Sequence, residues 1–213
     1  MGVPDGREPL MSQYLPTLLD QVAQTCRSSS DPEFRLLSNQ IDRVPREKPE
    51  KESLTCPTSE LCLETAIEGI PADHLLHDAV AQAAPFSPWE EASRGVPEFF
   101  PGGYAYAMLA DESPPADDDP VRMGLLLQRG NIPYPGHAHD AEEFYFILSG
   151  EAHWRIDARE FTARPGDLIH HAPCAVHAMQ TGSAPLLALW VWRGNLSGRF
   201  WYESAPDVDC PRN

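Results

Sequence analysis

Residues 136–150, GHAHDAEEFYFILSG, carry two histidines, three acids and a tyrosine within fifteen positions. Side chains two apart on a β-strand share a face. His137, His139, Glu143 and Tyr145 are all odd-numbered, so an uninterrupted strand would turn all four to one side and Phe144, Phe146 and Leu148 to the other. A face of imidazole, carboxylate and phenol makes a poor core and a good site. Imidazole nitrogen and carboxylate oxygen suit one divalent transition metal, with zinc and iron ranked first and manganese, cobalt and nickel behind them. The H-x-H pair and an acid on one face supply three ligands, and a fourth must come from elsewhere. His177, in PGDLIHHAPCAVHAM, is the best candidate: Pro165-Gly166-Asp167 forms a turn, and the histidine follows eleven residues after Gly166.

These residues need elements to hold them. From about residue 100 the chain shows short runs of two-residue alternation divided by Gly, Pro and Asp: YAYAML, VRMGLLLQ, EFYFILSG, EAHWRID, REFTARPGD, LIHHA and LLALWVWR. Many short strands at close spacing predict an antiparallel sandwich or barrel. The preceding part is helical. Residues 8–28 place apolar side chains at helical spacing around Pro16, and Asp31 caps a second helix that opens on Pro32 and Glu33. SELCLETAIEG and PADHLLHDAVAQAA predict two more short helices, after a charged, proline-punctuated linker at 45–59. The fold class is therefore mainly β, a barrel at 100–203 with a helical N-terminal extension at 1–99 and a tail at 204–213.

The two motif segments resemble the paired motifs of the cupin superfamily, whose barrel is a double-stranded jelly roll. Gly130, His137, His139, Glu143 and Gly150 fill the first motif with a spacer one residue longer than usual, and Gly166 to His177 keeps the family's second distance. Pro173 is displaced by one position, and Thr181 stands where asparagine is often found. Within the cupins, the chain is most similar to the dimethylsulfoniopropionate (DMSP) lyases. Tyr145 follows the glutamate as E-x-Y, Tyr134 lies five residues before the second histidine, and HAMQTGSAPLLALWVWRGNL resembles the family's end, as the helical extension resembles its beginning. The resemblance implies a metal on His139, Glu143 and His177, with Tyr145 near or on it. His137 is then a substrate contact, a support for a ligand, or a fourth ligand.

That family cleaves a small zwitterion, carboxylate at one end and dimethylsulfonium at the other, to acrylate and dimethyl sulfide. A proton must leave the carbon beside a carboxylate that is already negative, and a divalent cation on that carboxylate would absorb the developing charge. A phenol with an ordinary pKa of about 10 is a weak candidate for the base until a bound cation favours its phenolate. Tyr145 is the first candidate and Tyr134 the second. Aromatic faces attract a sulfonium: Trp190 and Trp192 share one strand face and could form such a wall, as could Tyr106 and Trp154. His153, His170 and His171 are assigned no metal role, although His171 stands near His177; Glu142 should point away from the site, and DDDP at 117–120 reads as a solvated turn.

A net charge of −16 argues against nucleic acid and anionic membranes as partners. No stretch approaches the roughly 18 apolar residues of a membrane span. Five cysteines without C-x-x-C spacing and no secretory start suggest a reducing, cytoplasmic setting. A homodimer through the sheets would be in keeping with cupins. Two other functions remain beside the lyase: another metal-dependent cupin enzyme, an oxygenase or isomerase on a small carboxylate or sugar, and a non-catalytic ligand-binding cupin.

Overall fold

A computed structural model describes residues 11–47, 56–92, 102–111 and 120–203. The interior of the 45–59 linker, the acidic residues 117–119 and the tail from 204 onward lie outside the described residues. Four helices come first: α1 (Met11–Ser28), α2 (Pro32–Ile41), α3 (Pro57–Glu68) and α4 (His77–Ala83). Helix α1 runs continuously through Pro16. Asp31 caps α2 as expected, its carboxylate accepting from Glu33 N at 2.8 Å with Pro32 at the first position. Helix α4 is shorter than its apolar spacing predicts, because His74 diverts the chain. Its Nδ1 accepts from Leu76 N at 3.1 Å, and its Nε2 donates to Ile147 O at 3.1 Å, so the segment docks on the sheet before it becomes helical.

Eleven strands follow among the described residues. They are β1 (Trp89–Glu91), β2 (Tyr104–Asp111), β3 (Val121–Gln128), β4 (Pro133–His139), β5 (Glu142–Ser149) and β6 (Ala152–Ile156). The rest are β7 (Arg159–Ala163), β8 (Leu168–His171), β9 (His177–Thr181), β10 (Leu186–Arg193) and β11 (Phe200–Tyr202). One sheet has the order β1-β2-β3-β10-β5-β8 and the other β11-β4-β9-β6-β7. All neighbouring pairs are antiparallel. This is the cupin-type jelly roll, and β1 adds an edge strand within the stretch that reads as helical extension. Gly150 (φ +76°) and Gly166 (φ +93°) take the left-handed backbone at the turns after β5 and before β8.

Two cores flank the first sheet. Its outer face meets the helices: Phe34 of α2 stands edge-on to Phe144 at 5.1 Å and to Phe146 at 5.5 Å, within a cluster that includes Leu15, Leu18, Leu37 and Leu148. Its inner face meets the second sheet across Leu126, Tyr145, Ile147, Trp154, Met179 and Trp190. The alternation of β5 thus sorts apolar Phe144, Phe146 and Leu148 toward the helices and its odd-numbered residues toward the barrel interior.

Candidate metal and catalytic site

The four polar residues of the first motif share the barrel interior, but not a single strand. The chain turns a corner at Asp140–Ala141, so His137 and His139 belong to β4 in one sheet and Glu143 and Tyr145 to β5 in the other. The expectation of an uninterrupted strand is corrected here. The Asp140 carboxylate holds the corner, accepting from Arg199 N at 2.9 Å and from the Arg199 guanidinium at 3.2 and 3.3 Å. A corner lets one short motif line both walls of the barrel. A bulge in β4 between Tyr134 and His137 accompanies it.

Each of three histidines is oriented by its own backbone neighbourhood. Nδ1 lies 2.9 Å from Pro135 O in His137, 2.8 Å from Ala141 O in His139 and 2.9 Å from Ala175 O in His177. A carbonyl can only accept, so each Nδ1 carries a proton and each Nε2 faces the centre. The ligand atoms of the three lie within 4.8 Å of one another, and all three residues are buried. Burial pushes the His137 imidazole well below its ordinary value, with His177 and His139 adding to the effect, which keeps that ring neutral with a lone pair to offer. His177 Nε2 is buried with no hydrogen-bond partner, although it stands 3.1 Å from Glu143 Oε2. A buried, unpaired imidazole nitrogen aimed at a carboxylate is what a bound cation would satisfy. The donor set, three imidazole nitrogens and a carboxylate oxygen, fits a divalent transition metal.

Glu143 is the hub. Its Oε2 lies 3.2 Å from His139 Nε2 and 3.1 Å from His171 Nδ1, and its Oε1 accepts from Trp192 Nε1 at 2.7 Å. Burial alone would raise this carboxyl, but the close imidazoles of His139, His171 and His177 outweigh it and hold the group well below the usual range. Burial, together with the Glu143 charge, pushes the Tyr145 phenol well above 10. Tyr134 is raised likewise, by burial first and then by Tyr104, Tyr202 and Glu143; its hydroxyl is hydrogen-bonded to that of Tyr104. Aromatic rings close the remaining sides. Tyr134 lies 4.5 Å from the His137 ring, Trp192 4.3 Å from His139, and Phe200 5.2 Å from His137.

The sequence profile of the dimethylsulfoniopropionate lyase family matches residues 32–188. The chain belongs to this family. The dimethylsulfoniopropionate lyase DddQ of Ruegeria pomeroyi is 31% identical over 140 residues, which span 64% of this chain and 66% of that protein, just under two thirds of its length. The crystal structure of DMSP lyase DddQ from the same organism superposes with a TM-score of 0.69 at 24% identity, covering 92% of this chain and 99% of that one. A structure from work on the DMSP lyases RdDddP and RnDddQII gives 0.71 at 24% identity, covering 91% and 99%. At that identity the superpositions speak for the fold.

Not every candidate of this DMSP lyase family member reaches the centre. Trp190 shares the inner face with Trp192 but packs behind it, ring centroids 5.9 Å apart, over Gly124, where an added Cβ would come within 2.8 Å of the indole. Tyr106 turns its hydroxyl to Glu90 Oε2 on β1, 3.4 Å away. Trp154 is fully buried and donates to His171 Nε2 at 3.0 Å. Glu142 points to the other face as expected, bonded to His170 Nε2 at 2.6 Å. His153 is exposed and pairs with Glu160. Three residues that the sequence reading missed belong to the surroundings, Tyr104, Phe200 and Tyr202, and His171, which it noted only for its closeness to His177, joins them. The aromatic run at 200–202 was the available signal for Phe200 and Tyr202. A separate cavity of about 360 Å³ lies on the far side of the first sheet, among Thr25, His74, Leu76 and Phe146, and contains none of the convergent histidines. Among the described residues, no helix is long and apolar enough to cross a membrane.

Proposed function

We propose that this chain is a metal-dependent carbon–sulfur lyase that converts dimethylsulfoniopropionate to acrylate and dimethyl sulfide by β-elimination. The observation that carries this reading is the convergence of three Nδ1-anchored histidines and Glu143 Oε2 beside the Tyr145 phenol, in a member of the DMSP lyase family. His137, His139, His177 and Glu143 are the residues that would hold the metal, with zinc and iron the first choices for this nitrogen-and-oxygen set. When bound, such a cation supplies positive charge that lowers the neighbouring phenol and offsets the charge developing on the substrate carboxylate.

The chain's own groups do the rest. Tyr145, as phenolate, takes the proton from the carbon next to the carboxylate. The pair of electrons released there forms the acrylate double bond, the carbon–sulfur bond breaks, and its electron pair leaves with neutral dimethyl sulfide. Tyr134 is the second candidate for the base, and its bond to Tyr104 orients it beside His137. Trp192, Phe200 and Tyr202 offer aromatic faces to the sulfonium.

Headspace analysis of purified, metal-loaded protein given dimethylsulfoniopropionate tests the reading. Dimethyl sulfide and acrylate in equal amounts are expected from the wild type, with loss of both in His177→Ala. A metal-loaded wild type that releases no sulfide would refute the substrate. Release that survives complete metal removal would refute the metal's role.

A further inference from the structure

By distance alone, His171 looks like a ligand. Glu143, His171 and His177 form a second buried triad whose ligand atoms lie within 4.8 Å of one another, and the His171 and His177 rings stack at 3.9 Å. The hydrogen bonds decide otherwise. Trp154 Nε1 stands 3.0 Å from His171 Nε2. An indole nitrogen can only donate, so Nε2 must carry the lone pair and spends it on Trp154. The proton of the neutral ring is then on Nδ1, 3.1 Å from Glu143 Oε2, which can only accept. Both nitrogens of His171 are committed. The three other histidines differ in one respect: their Nδ1 protons go to backbone carbonyls, which frees Nε2 for the centre.

We infer that His171 is a positioning residue: it fixes Glu143 through Nδ1–H, Trp154 fixes its tautomer through Nε2, and it takes no place on the metal. The inference rests on the metal centre proposed above. The supporting chain is buried from end to end. Trp154 and His171 are both fully buried, Trp154 stands edge-on to Tyr145 at 5.1 Å, and β8 pairs with β5 so that His171 lies directly opposite Glu143. Tyr145 and Glu143 are therefore held by one network of side chains, and an error in His171 reaches the metal ligand and the candidate base together.

The test is zinc affinity by competition with a chromophoric chelator, joined to the visible spectrum of the cobalt-substituted protein. The proteins are the wild type, His171→Leu, His171→Asn and Trp154→Phe. Loss of an outer hydrogen bond to a ligand weakens binding about 10- to 100-fold, the change expected for His171→Leu. The asparagine amide nitrogen can occupy the Nδ1 position, so His171→Asn should recover most of that loss with a cobalt spectrum like the wild type's. Trp154→Phe should weaken zinc in the same direction as the leucine variant. Unchanged zinc affinity in His171→Leu would overturn the inference. If that variant does not fold, His171→Asn decides: a cobalt spectrum that reports one ligand fewer would make His171 a ligand and refute the positioning role. A wild type that binds neither zinc nor cobalt would instead overturn the metal centre itself.

Discussion

Trp192→Phe separates two roles that meet in one side chain. The substitution keeps an aromatic face and removes one N–H, the donor that reaches Glu143 Oε1 at 2.7 Å. Glu143 is only 3% exposed, so water cannot replace that donor. A hydrogen bond to an ionised group contributes about 1.5–3 kcal/mol. At about 1.4 kcal/mol per decade this is roughly 10- to 150-fold, expressed wherever the orientation of Glu143 matters: metal affinity and kcat. The aromatic face tells separately. Exchanging an indole for a weaker phenyl face forfeits part of a cation–π interaction worth about 0.5–1 kcal/mol, so KM should rise by no more than roughly fivefold. Steady-state sulfide release at saturating metal, over a range of dimethylsulfoniopropionate concentrations, gives both constants, and a zinc titration gives the third. Unchanged kcat and zinc affinity with a KM raised far beyond fivefold would refute the reasoning, because Trp192 would then be a wall and nothing more.

Three other outcomes are expected. Tyr145→Phe should lower kcat by about 10²–10⁴-fold, the usual worth of a positioned base, whereas Tyr134→Phe should cost much less; the same sulfide assay ranks them. Phe34→Ala should destabilise the fold by about 3–5 kcal/mol in urea unfolding, because it empties the space between α2 and Phe144 and Phe146. The third concerns pH. Burial pushes the His171 imidazole down to about 4, with His177 adding to the effect, from an ordinary 6.5. A base depressed in the folded state contributes stability that is complete above pH 6.5, declines as the unfolded chain takes up its proton, and is gone below pH 4. The loss amounts to about 3 kcal/mol for that shift. Denaturation of wild type and His171→Asn at pH 7.5 and pH 4.5 should show the wild type losing more, and parallel behaviour would contradict the assignment.

Much of this site was legible because strand parity is a strong local rule. It separated Glu143 from Glu142 and sent Phe144 and Phe146 to the helices. Parity also pairs His137 with His139 on β4 and Glu143 with Tyr145 on β5, but it is the corner between the strands that brings the two pairs together. What stayed hidden depends on contacts distant in sequence. The corner at Asp140 contains neither glycine nor proline, and its partner, Arg199, lies 59 residues away. His170 and His171 alternate faces on β8, but which one enters the barrel is set by pairing with β5. A three-residue strand such as β11 is too short for any periodicity, so Phe200 and Tyr202 read only as an aromatic run. His74 delays the start of the fourth helix through a bond to Ile147, 73 residues away.

The helices bear on the chemistry through the same alternation. Three adjacent strands each send one residue inward and its neighbour outward: Glu143 and Glu142 on β5, His171 and His170 on β8, Trp192 and Arg193 on β10. Inward, the pairings Glu143↔His171 and Trp192↔Glu143 set the hub between its two donors. Outward, Glu142 accepts from Arg193 Nε at 2.6 Å and bonds His170, while Arg193 reaches Glu33 of α2 at 2.7 Å. Burial pulls the Arg193 guanidinium down, and its bonds to Glu33 and Glu142 outweigh that, so the charge persists at the back of the sheet. A one-residue slip of β10 would strand the Arg193 guanidinium in the barrel, and one of β5 would put the candidate ligand Glu143 among phenylalanines. The outward network therefore selects the register that assembles the site. Helix α2 is attached to that network at Glu33 and to the sheet at Phe34, one residue behind the candidate ligand Glu143. The N-terminal helices are thus part of what holds the centre in shape.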